Sequence, residues 1–163
     1  MNVLEAIQNR HTVRVFTGES IPREDIQTIV DAGRRAATGY NIQPWHFIAV
    51  TNHETIQTLS KADRWIGKAG AVIAVVIDPS LSDFTTEDAS AAMENMLLAV
   101  TALGHGGCWV QGDIVPYDAE FKELLNIPPG LRLFSILPVG VPKRLGVKKR
   151  KKSLEEVLRW ETF

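Results

Sequence analysis

The sequence predicts a layered α/β or α+β fold, a sheet whose faces are covered by helices. Three observations predict it. Stretches of strand character alternate with stretches of helical spacing along the chain. Ala71–Ile77 (AVIAVVI) is a continuous apolar run, the pattern of a central strand covered on both faces. From about Glu87 to Leu103, the apolar residues Ala89, Ala92, Met93, Met96, Leu97, Val100 and Leu103 recur at three- and four-residue spacings, the pattern of a long packed helix.

The elements follow in order. Val3, Leu4 and Ile7 lie on one face of a short helix ending near Arg10. A second helix opens at Pro22, with Glu24 and Asp25 suited to its positive end. Its apolar face is Ile26, Ile29, Val30 and Gly33, and it stops before Thr38-Gly39. His46 to Thr51 reads as a strand and Glu54 to Ala62 as a helix. The central strand ends at Pro79-Ser80. Gly104, Gly106 and Gly107 break the long helix, and Cys108 to Gln111 is expected to begin another strand. A short helix runs from Asp118 through Leu125, Pro128-Pro129-Gly130 turns the chain, and Arg132 to Val141 forms a further strand interrupted late by Pro138. A final helix is expected over Ser153 to Trp160.

Composition bounds the function classes. A chain of 163 residues, without repeats or a Ser/Gly-rich linker, reads as one domain large enough to bury a core. Its 45% hydrophobic and 23% charged content excludes a disordered or collagen-like chain. The longest apolar run, Ala69 to Ile77, is too short to span a bilayer. Met-Asn-Val-Leu-Glu has an acid where a signal peptide carries bases, and one cysteine, Cys108, cannot form an internal disulfide; a cytoplasmic location is expected.

The net charge of −1 hides an asymmetry. Lys143, Arg144, Lys148, Lys149, Arg150, Lys151 and Lys152 lie in one stretch without an acid; of 18 bases, 11 remain elsewhere against 19 acids. A concentrated positive segment on an acidic body asks for an anion, although a solvated tail would read the same way. Beyond it, Leu154, Val157, Leu158, Trp160 and Phe163 need cover, either from the chain itself or from a second subunit.

Three clusters carry chemistry. In Arg10-His11-Thr12-Val13-Arg14, two guanidiniums and a hydroxyl can converge on one phosphate. In Ala37-Thr38-Gly39-Tyr40-Asn41-Ile42-Gln43-Pro44-Trp45, Gly39 permits close backbone approach by a flat ligand, and Asn41 and Gln43 offer amide groups suited to a heterocycle edge. Gly104-His105-Gly106-Gly107-Cys108-Trp109-Val110-Gln111-Gly112 places glycines around a strand start. Neither a dinucleotide fingerprint nor a P-loop is present. His11, His46, His53 and His105 lack metal-ligand spacing, so no metal site is expected. Cys108 reads as a small core residue rather than a nucleophile.

The clusters, in this order, resemble the nitroreductase-like flavoprotein family over nearly the whole chain. The resemblance rests on Arg10-His11-Thr12-Val13-Arg14-Val15-Phe16, on Ala37 to Trp45 followed by Phe47, on Glu94-Asn95-Met96-Leu97-Leu98-Ala99 with Gly104 to Trp109, and on Leu137-Pro138-Val139-Gly140 followed by bases and Leu154-Glu155-Glu156-Val157. Ala37-Thr38 stands where the family carries Pro-Ser, and Gly39 replaces its second Ser. The resemblance implies an α+β fold with a central mixed sheet flanked by helices. It implies an intertwined homodimer with FMN at the interface and residues 143–163 as a basic, partner-embracing tail of a single FMN-binding domain, 1–163. It places Arg10, His11, Thr12 and Arg14 on the FMN phosphate and ribityl chain. It brings Ala37, Thr38, Gly39 and Asn41 to the ring from the partner subunit, and Gln111 and Gly112 to the flavin N5 edge. Lys148 and Arg150 would close on the phosphate, with Lys151 an equally good register.

The expected activity is transfer of hydride or electrons from NAD(P)H to a small organic acceptor such as a nitroaromatic or quinone. The chemistry is the flavin's, so no catalytic side chain is assigned. Enone reduction and dehalogenation are same-fold alternatives, as is flavin binding without turnover. The segment 77–87 is short for the substrate-covering lid of the deiodinase branch. A nucleic-acid module on 143–152 is disfavoured, because that segment has no aromatic before Trp160 and the remaining chain is acidic.

Overall fold

The structure is a computed structural model and describes every residue except Leu145 and Lys148. Four strands form one sheet in the order β1 (Trp45–Val50), β2 (Ala71–Ile77), β4 (Arg132–Gly140) and β3 (Gly106–Gly107). All three strand pairs are antiparallel, where a mixed sheet was expected. Among the described residues, parallel pairing enters only as the isolated bridge between Thr12 and Gly107.

β2 is buried at every residue, as its unbroken apolar run predicts. Its side chains divide by parity, because successive residues point to opposite faces. Val72, Ala74 and Val76 enter one core cluster with Ile56, Leu59, Phe121 and Leu133. Ala71, Ile73, Val75 and Ile77 enter the other with Ile26, Ile29, Met93, Met96 and Phe134. The first face is covered by α3 (His53–Leu59) and α5 (Asp118–Leu124). The second is covered by α2 (Arg23–Arg34) and α4 (Thr85–Ala102), which also pack on each other. α1 (Val3–Asn9), capped by a reciprocal Asn2–Glu5 box, packs on α4.

Two expected elements differ. The strand expected at Cys108–Gln111 is displaced to Gly106–Gly107, and Val110 pairs with Ile136 only as an isolated bridge. Pro138 supplies the reason. Its carbonyl accepts from the Cys108 N–H at 3.4 Å, but it has no N–H to return, so the ladder is incomplete there. The final helix α6 covers only Leu154–Val157, not Ser153–Trp160. Its Ser153–Glu156 capping box starts a turn, but its residues are all exposed, and no burial among the described residues extends it.

Segment 12–17 is laid along the end of the sheet. The Val13 N–H donates to the Gly107 carbonyl at 3.0 Å, the Lys143 N–H to Val15 at 2.9 Å, and the Thr17 N–H to Val141 at 3.0 Å. Val13 and Phe16 are buried while Thr12 and Arg14 stay exposed. Close approach depends on Gly106, where a Cβ would lie 2.7 Å from the Val13 Cβ. Replacing Gly106 by Ala is expected to cost about 1–3 kcal/mol by overpacking. Thermal unfolding should register it as a fall of roughly 2–10 °C, and an unchanged midpoint would contradict the packing described.

Candidate functional site

The N-terminal cationic cluster gathers in a cleft of ≈ 860 Å³ lined by Ile7, Gln8, Arg10, His11, Thr12, Arg14, Glu94, Val147, Lys149 and Lys151. The two ends of the chain meet here. Gly146 crosses directly over Thr12, where a Cβ would fall 2.3 Å from the Thr12 carbonyl oxygen. Only a residue without a side chain lets the C-terminal segment pass so close.

Four of the lining residues are cations, and Glu94 is the single acid among them. Arg10 Nε lies 3.5 Å from Glu94 Oε1, a half-exposed pair that leaves the other guanidinium donors of Arg10 available. His11 Nδ1 lies 2.8 Å from the Asn9 carbonyl and donates to it, which leaves Nε2 as the other polar position of the ring. That Nε2 is buried and has no hydrogen-bond partner among the described residues. Arg14 reaches over the Trp65 ring, 5.9 Å from its centroid. A cationic cleft suits a polyanionic group such as a phosphate, and the orphaned Nε2, an acceptor while Nδ1 carries the proton, suits a hydroxyl donor on the same ligand.

The second predicted cluster forms a separate turn. Gly39–Asn41 is a single 3-10 turn after α2, and neither it nor Ala37 or Thr38 lines the cationic cleft of its own chain. The Thr38 hydroxyl accepts from the Gln43 N–H at 3.2 Å. Tyr40 is 96% exposed, and Ala37 and Asn41 are exposed beside it.

Gln111 and Gly112 are exposed where a 3-10 turn over Gly112–Tyr117 begins, and a Cβ at Gly112 would meet nothing within 4 Å. The turn containing His105, which precedes β3, is tied to α2 by His105 Nε2 and Asp25 Oδ2, 2.7 Å apart. Of the tail residues, Lys149 and Lys151 line the cleft, Arg150 is exposed outside it, and Lys148 lies outside the described residues.

Cys108 is 3% exposed, and burial pushes its thiol up from the ordinary cysteine range despite the nearby Arg14 guanidinium. A thiol so placed is held protonated at neutral pH and is a poor nucleophile. The folded protein is therefore expected to resist thiol-specific labelling at pH 7–8, and Cys108→Ala should leave flavin binding intact. Rapid labelling of the native protein would contradict this. Among the described residues no three His, Cys, Asp or Glu form a metal-binding group, and no helix is long and apolar enough to cross a membrane.

Two roles in these sites were not read from the sequence, where Glu94 stands only as the first residue of a motif. Glu94 pairs with Arg10. Asp88, in the first turn of α4, holds the Gly39 turn. A carboxylate in a helical first turn is common for dipole reasons, so nothing in the sequence marked Asp88 as reaching a loop 49 residues away.

The family model of the Nitroreductase family matches residues 7–75 and 61–141. An Archaeoglobus fulgidus protein named "Putative NADH dehydrogenase/NAD(P)H nitroreductase" is 38% identical over 150 residues, covering 86% of this chain and 85% of its own. A crystal structure of a protein of the same name from Parabacteroides distasonis superposes with a TM-score of 0.89 at 27% identity, covering all of both chains. A "putative nitroreductase in complex with FMN" from Desulfovibrio desulfuricans superposes with a TM-score of 0.85 at 28% identity, over 100% of this chain and 98% of that one. The fold, one antiparallel sheet covered by helices on both faces, defines an α+β class. Within that class, the chain belongs to the nitroreductase family.

Proposed function

We propose that the protein is an FMN-dependent oxidoreductase that takes hydride from NAD(P)H and passes it, or its electrons, to a small organic acceptor such as a nitroaromatic or quinone. The observation that carries this reading is the cleft where Arg10, His11, Thr12 and Arg14 meet the basic tail, in a chain of this family. FMN supplies the redox chemistry when bound; the protein supplies binding, orientation and electrostatics.

Arg10, Thr12 and Arg14 would donate charge-assisted or neutral hydrogen bonds to the phosphate, and His11, whose Nδ1 carries the ring proton, would offer Nε2 as an acceptor to a ribityl hydroxyl. From the tail, Lys151 and Lys149 stand on the cleft, with Lys148 and Arg150 as the alternative register. Ala37, Thr38, Gly39 and Asn41 present their turn to the ring from a second subunit, which fits their separation from the cleft of their own chain. Gln111 and Gly112 bring exposed backbone to the redox edge of the ring.

The working unit is a homodimer with residues 143–163 as an embracing tail. The support is the tail itself, whose Leu154, Val157, Leu158, Trp160 and Phe163 are all exposed within one chain. The single buried cysteine suits a reducing cytoplasm. An anaerobic titration of the flavin-loaded protein with NADPH and NADH tests the activity. Bleaching of the visible flavin band, reversed by adding a quinone, is expected; a flavin that neither nucleotide reduces would mark a carrier rather than an enzyme.

A further inference from the structure

Asp88 is only 5% exposed, although it carries a carboxylate. Its Oδ1 accepts a hydrogen bond from the Gly39 N–H at 3.2 Å. Its Oδ2 is buried without a partner among the described residues. A buried carboxylate with an unused oxygen is costly, and the hydrogen bonding of the chain itself does not account for it.

The turn it holds is strained. Tyr40, Asn41 and Gln43 have φ of 52°, 58° and 55°, three left-handed non-glycine residues with Ile42 right-handed between the last two. Such residues cost energy and persist where their surroundings fix them. The other hydrogen bonds of the turn are local. The Asn41 N–H donates to the Thr38 carbonyl, the Ile42 N–H to Gly39, the Gln43 N–H to the Thr38 hydroxyl, and Gln43 Nε2 to the Asn41 carbonyl. Those bonds shape the turn but do not tell it where to sit. The link from Gly39 to Asp88 fixes it to α4, the most extensively buried helix of the fold.

We propose that Asp88 is a positioning residue for the cofactor, setting the Thr38–Asn41 turn against the flavin ring by holding the Gly39 N–H from behind. This rests on the reading of that turn as the ring-facing element. Asp88 acts on the ring and not on the phosphate, so its loss weakens FMN and riboflavin alike. That distinguishes it from the cleft arginines, whose loss is felt mainly by the ligand that carries the phosphate. Asn keeps the acceptor oxygen and preserves the hold; Ala does not.

The test compares full-length wild type, Asp88→Ala, Asp88→Asn and Arg10→Ala, each stripped of flavin and titrated in parallel with FMN and riboflavin by fluorescence quenching. Asp88→Ala is expected to weaken both flavins by a similar factor, about 5- to 20-fold, the loss of one buried hydrogen bond. Asp88→Asn should stay within about threefold of wild type for both, since its amide oxygen replaces Oδ1. Wild-type affinity in Asp88→Ala, or Asp88→Asn as weak as Asp88→Ala, overturns the proposal. Hydrogen exchange of the Gly39 amide in the wild-type holoprotein covers a variant that fails to fold: slow exchange is expected, and exchange at the rate of an open loop overturns the proposal independently. If wild type binds neither flavin, the cofactor reading fails and takes this inference with it. If wild type binds and Asp88→Ala binds equally well, this inference alone fails.

Discussion

A chain ending at Lys152 is expected to lose its dimeric assembly and its flavin together. The removed residues include Leu154, Val157, Leu158, Trp160 and Phe163, with Trp160 76% exposed within one chain. No described residue beyond Val141 belongs to or packs against either core cluster, and none of the described residues from Ser153 on is buried, so the truncation removes none of the described interior of the subunit. Burying an exposed side chain of this kind contributes about 1.5–3 kcal/mol. Two of them buried on a partner amount to roughly 3–6 kcal/mol, about 10²- to 10⁴-fold in the association constant. The exposed Val3, Leu4 and Ile7 of α1 add a second uncovered apolar face to the same subunit. Sedimentation should show the full chain as a dimer and the truncated chain as a folded, flavin-poor monomer. A full-length monomer that keeps its flavin would contradict the role given to the tail.

Removing Arg10 or Arg14 is expected to discriminate between FMN and riboflavin. Both guanidiniums line the cleft with Lys149 and Lys151, and Glu94 is the single acid on its wall. A hydrogen bond to a charged group contributes about 1.5–3 kcal/mol, so each Arg→Ala change should weaken FMN roughly ten- to a hundredfold. Riboflavin lacks the phosphate and should lose much less. Lys151→Ala is expected to follow the arginines, and Lys122→Ala, on α5 beside Asp118, serves as the surface control. Arg150→Ala reports the register of the tail. If it lowers FMN affinity while Lys151→Ala does not, Arg150 reaches the phosphate; if both match Lys122→Ala, the basic tail is solvated and plays no part.

The sheet was legible where one physical rule dominates. Ala71–Ile77 has the same bounds as β2, because a strand buried on both faces needs an apolar residue at every position. α4 starts two residues before the expected Glu87, since its buried face continues through Thr85. The strand near Cys108 was misplaced because its pairing depends on what lies opposite, and the missing N–H of Pro138 acts across the sheet. The final helix was overextended because periodicity reports an apolar face and not whether anything covers it.

The cationic cluster was legible for a different reason. Arg10, His11, Thr12 and Arg14 are near in sequence, so their convergence needs only a local fold. That the tail reaches them depends on Gly146 crossing Thr12, a contact between residues 134 positions apart that no local pattern encodes. Asp88 is the clearest case: its partner is a backbone N–H, and a backbone group leaves no signature in the sequence.

Whether this cleft takes FMN is read by purifying the full chain, saturating it with a mixture of FMN, FAD and riboflavin, removing the excess, and identifying by mass spectrometry what denaturation releases. FMN is expected as the dominant species, close to one per chain. Release of FAD alone, or of no flavin at all, would contradict it.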